Sequence, residues 1–154
     1  MPLKCHDDIL VFYRALPTYN PQYFYGKPYQ RTFPATDSKN YREGIAGHET
    51  ISSDGRRYPR DVIKFNYPKK GVLKNSEKVD HATQKPIKLL EYLIRTYTNE
   101  GELVLDATMG SGSTGCAAIN TNRRFIGFEI EKKFYDIAEK RISEALAKKQ
   151  QELF

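Results

Sequence analysis

Hydrophobic positions follow regular periods from about residue 85 onward and lose them in the first half of the chain. Leu89, Leu90, Leu93, Ile94 and Tyr97 recur at helical spacing after Pro86, so a helix is predicted to open there and to stop at Asn99 and Gly101. Leu103-Val-Leu105 reads as a buried strand, Ser113 to about Asn120 as a short helix packing through Ala117, Ala118 and Ile119, and Arg124 to Ile130 as a second strand. Phe134, Ile137, Ala138, Arg141, Ile142, Ala145 and Leu146 then mark one face of a last amphipathic helix. Strand, helix, strand and helix in this order predict a right-handed βαβ unit with parallel strands. In the first half only Ile9–Tyr13 and the shorter Asp61–Phe65 read as strands. Between them Pro, Gly, Asn, Ser and Asp interrupt the chain every few residues, which predicts a loop-rich surface.

Charge separates the halves further. Of 154 residues, 25 are Lys or Arg and 19 are Asp or Glu, and the whole net charge of +6 falls in residues 26–74, which hold 11 basic and 5 acidic residues. Tyr29, Phe33, Tyr41, Tyr58, Phe65 and Tyr67 are interleaved with these cations. Such a segment suits phosphate neutralisation and contact with base edges, and Arg56, Arg57 and Arg60 form its densest patch. The bland alternative is a solvated basic loop. No stretch approaches the ~20 apolar residues of a membrane span, and MPLKCHDD lacks the apolar region of a secretory signal. Two isolated cysteines, Cys5 and Cys116, share no metal-like spacing with His6, His48 or His81, so reduced thiols in a cytoplasmic protein are expected and no metal site.

Candidate chemistry concentrates in LVLDATMGSGSTG, residues 103–115. Gly110, Gly112 and Gly115 spell G-x-G-x-x-G between a strand and a helix, and Glu129 ends the next strand 19 residues after Gly110. Glycines there admit close backbone approach, and the later acid suits ribose hydroxyls. A dinucleotide would set its pyrophosphate against Asp106, which repels it. A ribose-bearing cofactor with an ammonium group and no phosphate suits both acids, and S-adenosylmethionine (SAM) has this chemistry. The alternative is a glycine turn that only packs strand against helix.

The stretch 81–142, with His81-Ala-Thr-Gln-Lys-Pro86 and the loop Asp106 to Thr114, resembles the C-terminal half of the permuted β class of DNA amino-methyltransferases, which methylate adenine N6 or cytosine N4. PLKCHDDILVFYRALPTYNPQ and SDGRRYPRDVIKF extend the likeness over nearly the whole chain, the latter toward phage- and prophage-type members; the family type implied is phage/prophage or restriction-modification. The resemblance implies an α/β fold: a partial Rossmann-like SAM-dependent methyltransferase sheet, its C-terminal half in permuted order, with a loop-rich target-recognition insertion. It divides the chain into 1–25 (core strand and turn), 26–75 (target recognition) and 76–154 (SAM binding). It implies cofactor contacts from Thr83, Gln84, Lys85, Asp106, Met109, Gly110, Ser111, Gly112, Thr114 and Glu129, and DNA contacts from Arg56, Arg57 and Arg60. Thr83 has the simpler alternative of capping a helix, and Lys85 that of a solvated first-turn lysine. Two positions depart from the family pattern: Ala82 stands where proline is usual, and Ala107-Thr108 lacks the usual aromatic residue.

Family members use a D/N/S-P-P-Y/F/W loop to accept hydrogen bonds from the target amino group and to stack on the flipped base. No Pro-Pro pair exists in this chain, and the nearest imitation, Asn20-Pro-Gln-Tyr23, follows a turn. In the permuted order the catalytic loop precedes the stretch matched here, so no catalytic residue is assigned. The expectation is a SAM-binding and DNA-recognition portion, either truncated or complemented in trans by a polypeptide carrying the first half. Self-association or poor solubility are the other outcomes, because the inner edge of strand 103–106 would lack its parallel neighbour. A non-catalytic DNA-binding module with a vestigial pocket is the alternative of a different class. Double-stranded DNA is the expected partner in both, with no membrane.

Overall fold

The computed structural model describes residues 7–33, 49–65 and 84–152. The chain divides into two compact units, Pro21–Lys64 and the remainder, Met1–Asn20 with Phe65–Phe154.

In the first unit, β1 (Phe24–Tyr25) pairs antiparallel with β4 (Arg56–Arg57), and β2 (Tyr29–Phe33) pairs antiparallel with β3 (Glu49–Ser53), in register from Tyr29↔Ser53 to Phe33↔Glu49. These strands carry Tyr, Arg, Thr and Ser with no apolar alternation, so periodicity gave no warning of them. A tight contact closes the β1/β4 end, where the Gly26 N–H donates to the Gly55 carbonyl at 2.8 Å.

The second unit holds α1 (Ile87–Tyr97), β5 (Leu103–Asp106), α2 (Ser113–Asn120), β6 (Arg124–Gly127) and α3 (Lys132–Gln151). β5 and β6 run parallel, in register from Leu103↔Arg124 to Asp106↔Gly127. The helix between them packs on one face of the pair. Its Ala117 and Ala118 are fully buried and, with Ile94, form a small core against which Ile87, Leu90, Val104 and Phe125 rest. Small residues let α2 lie close to its neighbours. α1 is tied to α2 by the buried Glu91 carboxylate, which accepts from Lys88 Nζ and Asn120 Nδ2 at 2.9 and 2.8 Å. At the amino ends of the strands the buried Arg123 guanidinium donates to the Thr98 carbonyl at 2.7 Å and to its hydroxyl at 3.0 Å.

Four expectations need correction. Ile9–Tyr13 forms no strand and is exposed, Phe12 at 88 %. Asp61–Phe65 likewise forms none, with Val62 at 79 %. Both runs have strand-like composition, yet a strand needs a paired neighbour, and neither run pairs with another of the described residues. The β5 strand is buried on one face only: Leu103 and Leu105 point outward, with Leu105 62 % exposed. β6 is shorter than expected because its ladder stops at Gly127. Beyond it, Phe128 exchanges bonds with the loop after β5, its N–H donating to the Asp106 carbonyl and its carbonyl accepting from the Met109 N–H, both at 2.9 Å.

Candidate functional site: a glycine loop between two carboxylates

The loop after β5 leaves the carboxyl end of a parallel strand, where open α/β sheets place their ligands. Its first turn is built by Asp106. Oδ1 accepts from the Thr108 N–H at 3.0 Å and Oδ2 from the Thr114 hydroxyl at 2.6 Å, so one carboxylate ties both ends of the loop together. Each oxygen keeps a second acceptor position for a ligand. The loop then passes through Gly110 (φ 52°) and Gly112 (φ 76°), both left-handed, and the Gly112 N–H closes back on the Met109 carbonyl at 2.9 Å.

Glu129 reaches the same loop from the end of β6. Its Oε2 accepts from the Gly110 N–H and its Oε1 from the Glu131 N–H, both at 2.9 Å. Asp106, Gly110, Gly112, Thr114 and Glu129 are therefore joined in one hydrogen-bonded unit with Met109. Ser111 is buried beside them. Lys85 is exposed and Gln84 half-buried just ahead of α1, while Thr83 lies outside the described residues.

An open hollow of about 330 Å³ adjoins the loop, lined by Ala107, Thr108, Phe128, Glu129 and Ile130. That volume is at the small end of ligand sites. Phe128 and Ile130 are 59 % and 98 % exposed and flank the Glu129 carboxylate. Periodicity had assigned them to a strand, which hid their place at the mouth. Their signal in the sequence was apolar residues on both sides of an acid, just past a glycine. Apolar walls beside a carboxylate suit a flat base joined to a ribose diol.

Next to the loop, Cys116 is buried on α2. Burial pushes its thiol up from the ordinary value of 9.0; nearby Arg141 opposes this and Glu144 adds to it. A raised thiol value contributes stability that is fully present below about pH 9 and is lost as pH rises through the folded value. The stability of the wild-type chain relative to Cys116→Ala is thus expected to shrink above that pH, measured as the gap between urea midpoints. A gap constant to pH 10.5 would contradict it.

In the other unit, Arg56 lies over the Tyr23 ring at 4.8 Å and Arg57 over the Tyr29 ring at 5.4 Å. The Arg57 guanidinium also donates to the Lys27 carbonyl at 3.3 Å, and Arg60 is exposed. Asn20, the start of the imitation catalytic loop, is bound elsewhere. Its backbone N–H donates to the Thr96 carbonyl at 2.7 Å and its amide to the Thr98 carbonyl at 3.1 Å. Those residues lead into the amino end of β5, whereas the glycine loop leaves the carboxyl end. Among the described residues no cluster of His, Cys, Asp and Glu could hold a metal ion, and no helix is long and apolar enough to cross a membrane.

A parallel strand pair, a glycine loop at its carboxyl end and acids at and just past the strand ends form a Rossmann-like arrangement within an α/β fold. The chain belongs to the N6/N4 DNA methylase family, which matches residues 4–140. It is 50 % identical over 62 residues to the type II methyltransferase M2.DpnII of Streptococcus pneumoniae, covering 40 % of this chain and 23 % of that protein. It is 33 % identical over 135 residues to the type II methyltransferase M.BglII of Bacillus subtilis, covering 86 % of this chain and 35 % of that one. Among solved structures it is similar to M1.HpyAVI in complex with SAM, at 30 % identity and a TM-score of 0.42, over 77 % of this chain and 62 % of that one. The chain thus spans well under half the length of these curated relatives.

Proposed function

We propose that this chain is the SAM-binding and DNA-recognition portion of a site-specific DNA methyltransferase of the permuted β class. The transfer would be to adenine N6 or cytosine N4. The observation that carries the reading is the loop held between Asp106 and Glu129 beside the hollow. When bound, SAM supplies an electrophilic methyl group on a sulfonium. Asp106 offers negative charge to the ammonium end and disfavours a pyrophosphate. Glu129, which lines the hollow, accepts from ribose hydroxyls, while Phe128 and Ile130 shield the base. Gln84 and Lys85, just ahead of α1, serve the methionine end, and the family resemblance adds Thr83 to them.

Residues 26–75 serve as the target-recognition region, with Arg56, Arg57 and Arg60 contacting duplex DNA. Rings under two of these arginines restrict the guanidinium planes, which lowers the ordering cost of a phosphate or guanine contact. The acceptor-presenting loop comes from another segment or a companion polypeptide. The open sheet supports this. Parallel sheets are normally covered on both faces, yet Leu103, Leu105, Ile126 and Phe128 leave an apolar face bare, and β5 pairs only with β6 among the described residues.

Calorimetry with SAM, and with NAD as control, tests the pocket; binding of SAM alone is expected. Methyl incorporation into DNA is expected only after adding an N-terminal methylase half with an Asn/Asp-Pro-Pro-Tyr loop. Incorporation by the chain alone would refute the need for that half. DNA binding without any SAM binding would instead favour a non-catalytic module. Replacing the three arginines by alanine should reduce the salt dependence of DNA binding by up to about three phosphate contacts.

A further inference from the structure

Arg141 lies on the inner face of α3, one turn beyond the fully buried Ala138, and is itself only 9 % exposed. Its spacing places it in the apolar stripe of that helix. A buried guanidinium is ordinarily matched by a carboxylate, yet no described carboxylate lies within ion-pair distance of it. All its described hydrogen bonds go to the glycine loop. Nη1 donates to the Ser111 carbonyl, to the Ser111 hydroxyl at 3.1 Å and to the Ser113 hydroxyl at 3.4 Å. Nη2 is buried with no hydrogen-bond partner among the described residues.

A fold-stabilising role explains this poorly. A partly unsatisfied buried cation destabilises the fold, and replacing such groups by apolar side chains is often neutral or stabilising. What the guanidinium does accomplish is geometric. It draws the Ser111 carbonyl inward onto α3 and so fixes the peptide joining Ser111 to Gly112, at the left-handed turn that opens α2. With that peptide fixed, the Gly112 N–H stays on the Met109 carbonyl and the Cys116 N–H on the Gly112 carbonyl at 3.0 Å. It also sets a full positive charge beneath the amino end of α2, which adds to the helix's own polarity there.

The geometry points to Arg141 as a positioning residue that holds the glycine loop in its cofactor-receiving shape without touching the cofactor. The assignment rests on SAM as the ligand proposed above, and the test separates the two. Arg141→Met is expected to leave the melting temperature within a few degrees of wild type. It should speed hydrogen exchange of the Gly112 and Cys116 amides at least tenfold in the ligand-free chain, and weaken SAM binding about tenfold. Arg141→Lys, which keeps the charge and one donor, should recover part of both. Unchanged exchange at those amides overturns the assignment, and so does a large fall in melting temperature with exchange rising throughout the unit. If the wild-type chain binds no SAM but the loop amides still respond, the cofactor reading fails and the positioning role stands.

Discussion

Asp106→Asn is expected to weaken SAM binding by roughly 30- to 150-fold, equivalent to about 2–3 kcal/mol, the scale of a charged hydrogen bond lost. Two losses combine. Negative charge at the strand end disappears, and the ammonium of the cofactor loses its partner. The new amide also keeps one acceptor oxygen where the carboxylate had two, so either the Thr108 N–H or the Thr114 hydroxyl faces a donor. Thr114→Val separates the contributions, since it removes the hydroxyl tie and leaves the charge; an effect below tenfold is expected. NAD binding should remain undetectable in Thr114→Val, because Asp106 still opposes a pyrophosphate. Calorimetry of the three proteins decides the matter. Equal affinities for SAM would reduce Asp106 to a turn-forming residue, the packing-only alternative for the glycine loop.

The parts of the fold that could be read from the sequence are those whose contacts are local. α2 fills Ser113–Asn120 as expected, because hydroxyl and glycine residues end the loop there and Ala117, Ala118 and Ile119 mark the inner face. β5, and its parallel pairing with β6, follow from a short apolar run on either side of that helix. The two upstream runs failed for a nonlocal reason: Ile9–Tyr13 and Asp61–Phe65 have the residues of strands, but pairing depends on partners that composition does not reveal. The small antiparallel pairs were hidden in the opposite way, since Tyr29–Phe33 and Glu49–Ser53 pair through backbone without an apolar alternation. In the candidate site, glycine spacing and the two acids stood out at once. Phe128 and Ile130 did not, because apolar residues after a strand read as more strand. Arg141 was visible as a cation on an apolar stripe, but its partners lie 28 and 30 residues away on the loop.

Gly112→Ala is expected to be strongly destabilising, costing about 2–5 kcal/mol. The left-handed φ of 76° accounts for roughly 1–2 kcal/mol of strain in any residue with a Cβ. Crowding adds the rest, at about 1–3 kcal/mol for overpacking. The added Cβ would stand 2.8 Å from Ala138 Cβ, 2.9 Å from its Cα and 3.2 Å from its carbonyl oxygen, and two of those atoms are helix backbone that cannot rotate away. Gly101→Ala calibrates the conformational share, because Gly101 has a similar φ of 79° and nothing within 4 Å of the added methyl. It should lose only that conformational share, about 1–2 kcal/mol. Ala138→Gly in the Gly112→Ala background removes the shortest contact and leaves the other two, so partial recovery is expected beyond the helix penalty of about 1 kcal/mol that glycine brings. Urea midpoints of wild type, Gly112→Ala, Ala138→Gly and the double variant give the coupling between the two positions. A Gly112→Ala loss no larger than that of Gly101→Ala would mean that α3 does not press on the loop. The same glycine would then be explained by its backbone conformation alone, and the close approach that brings Arg141 to Ser111 would lose its structural basis.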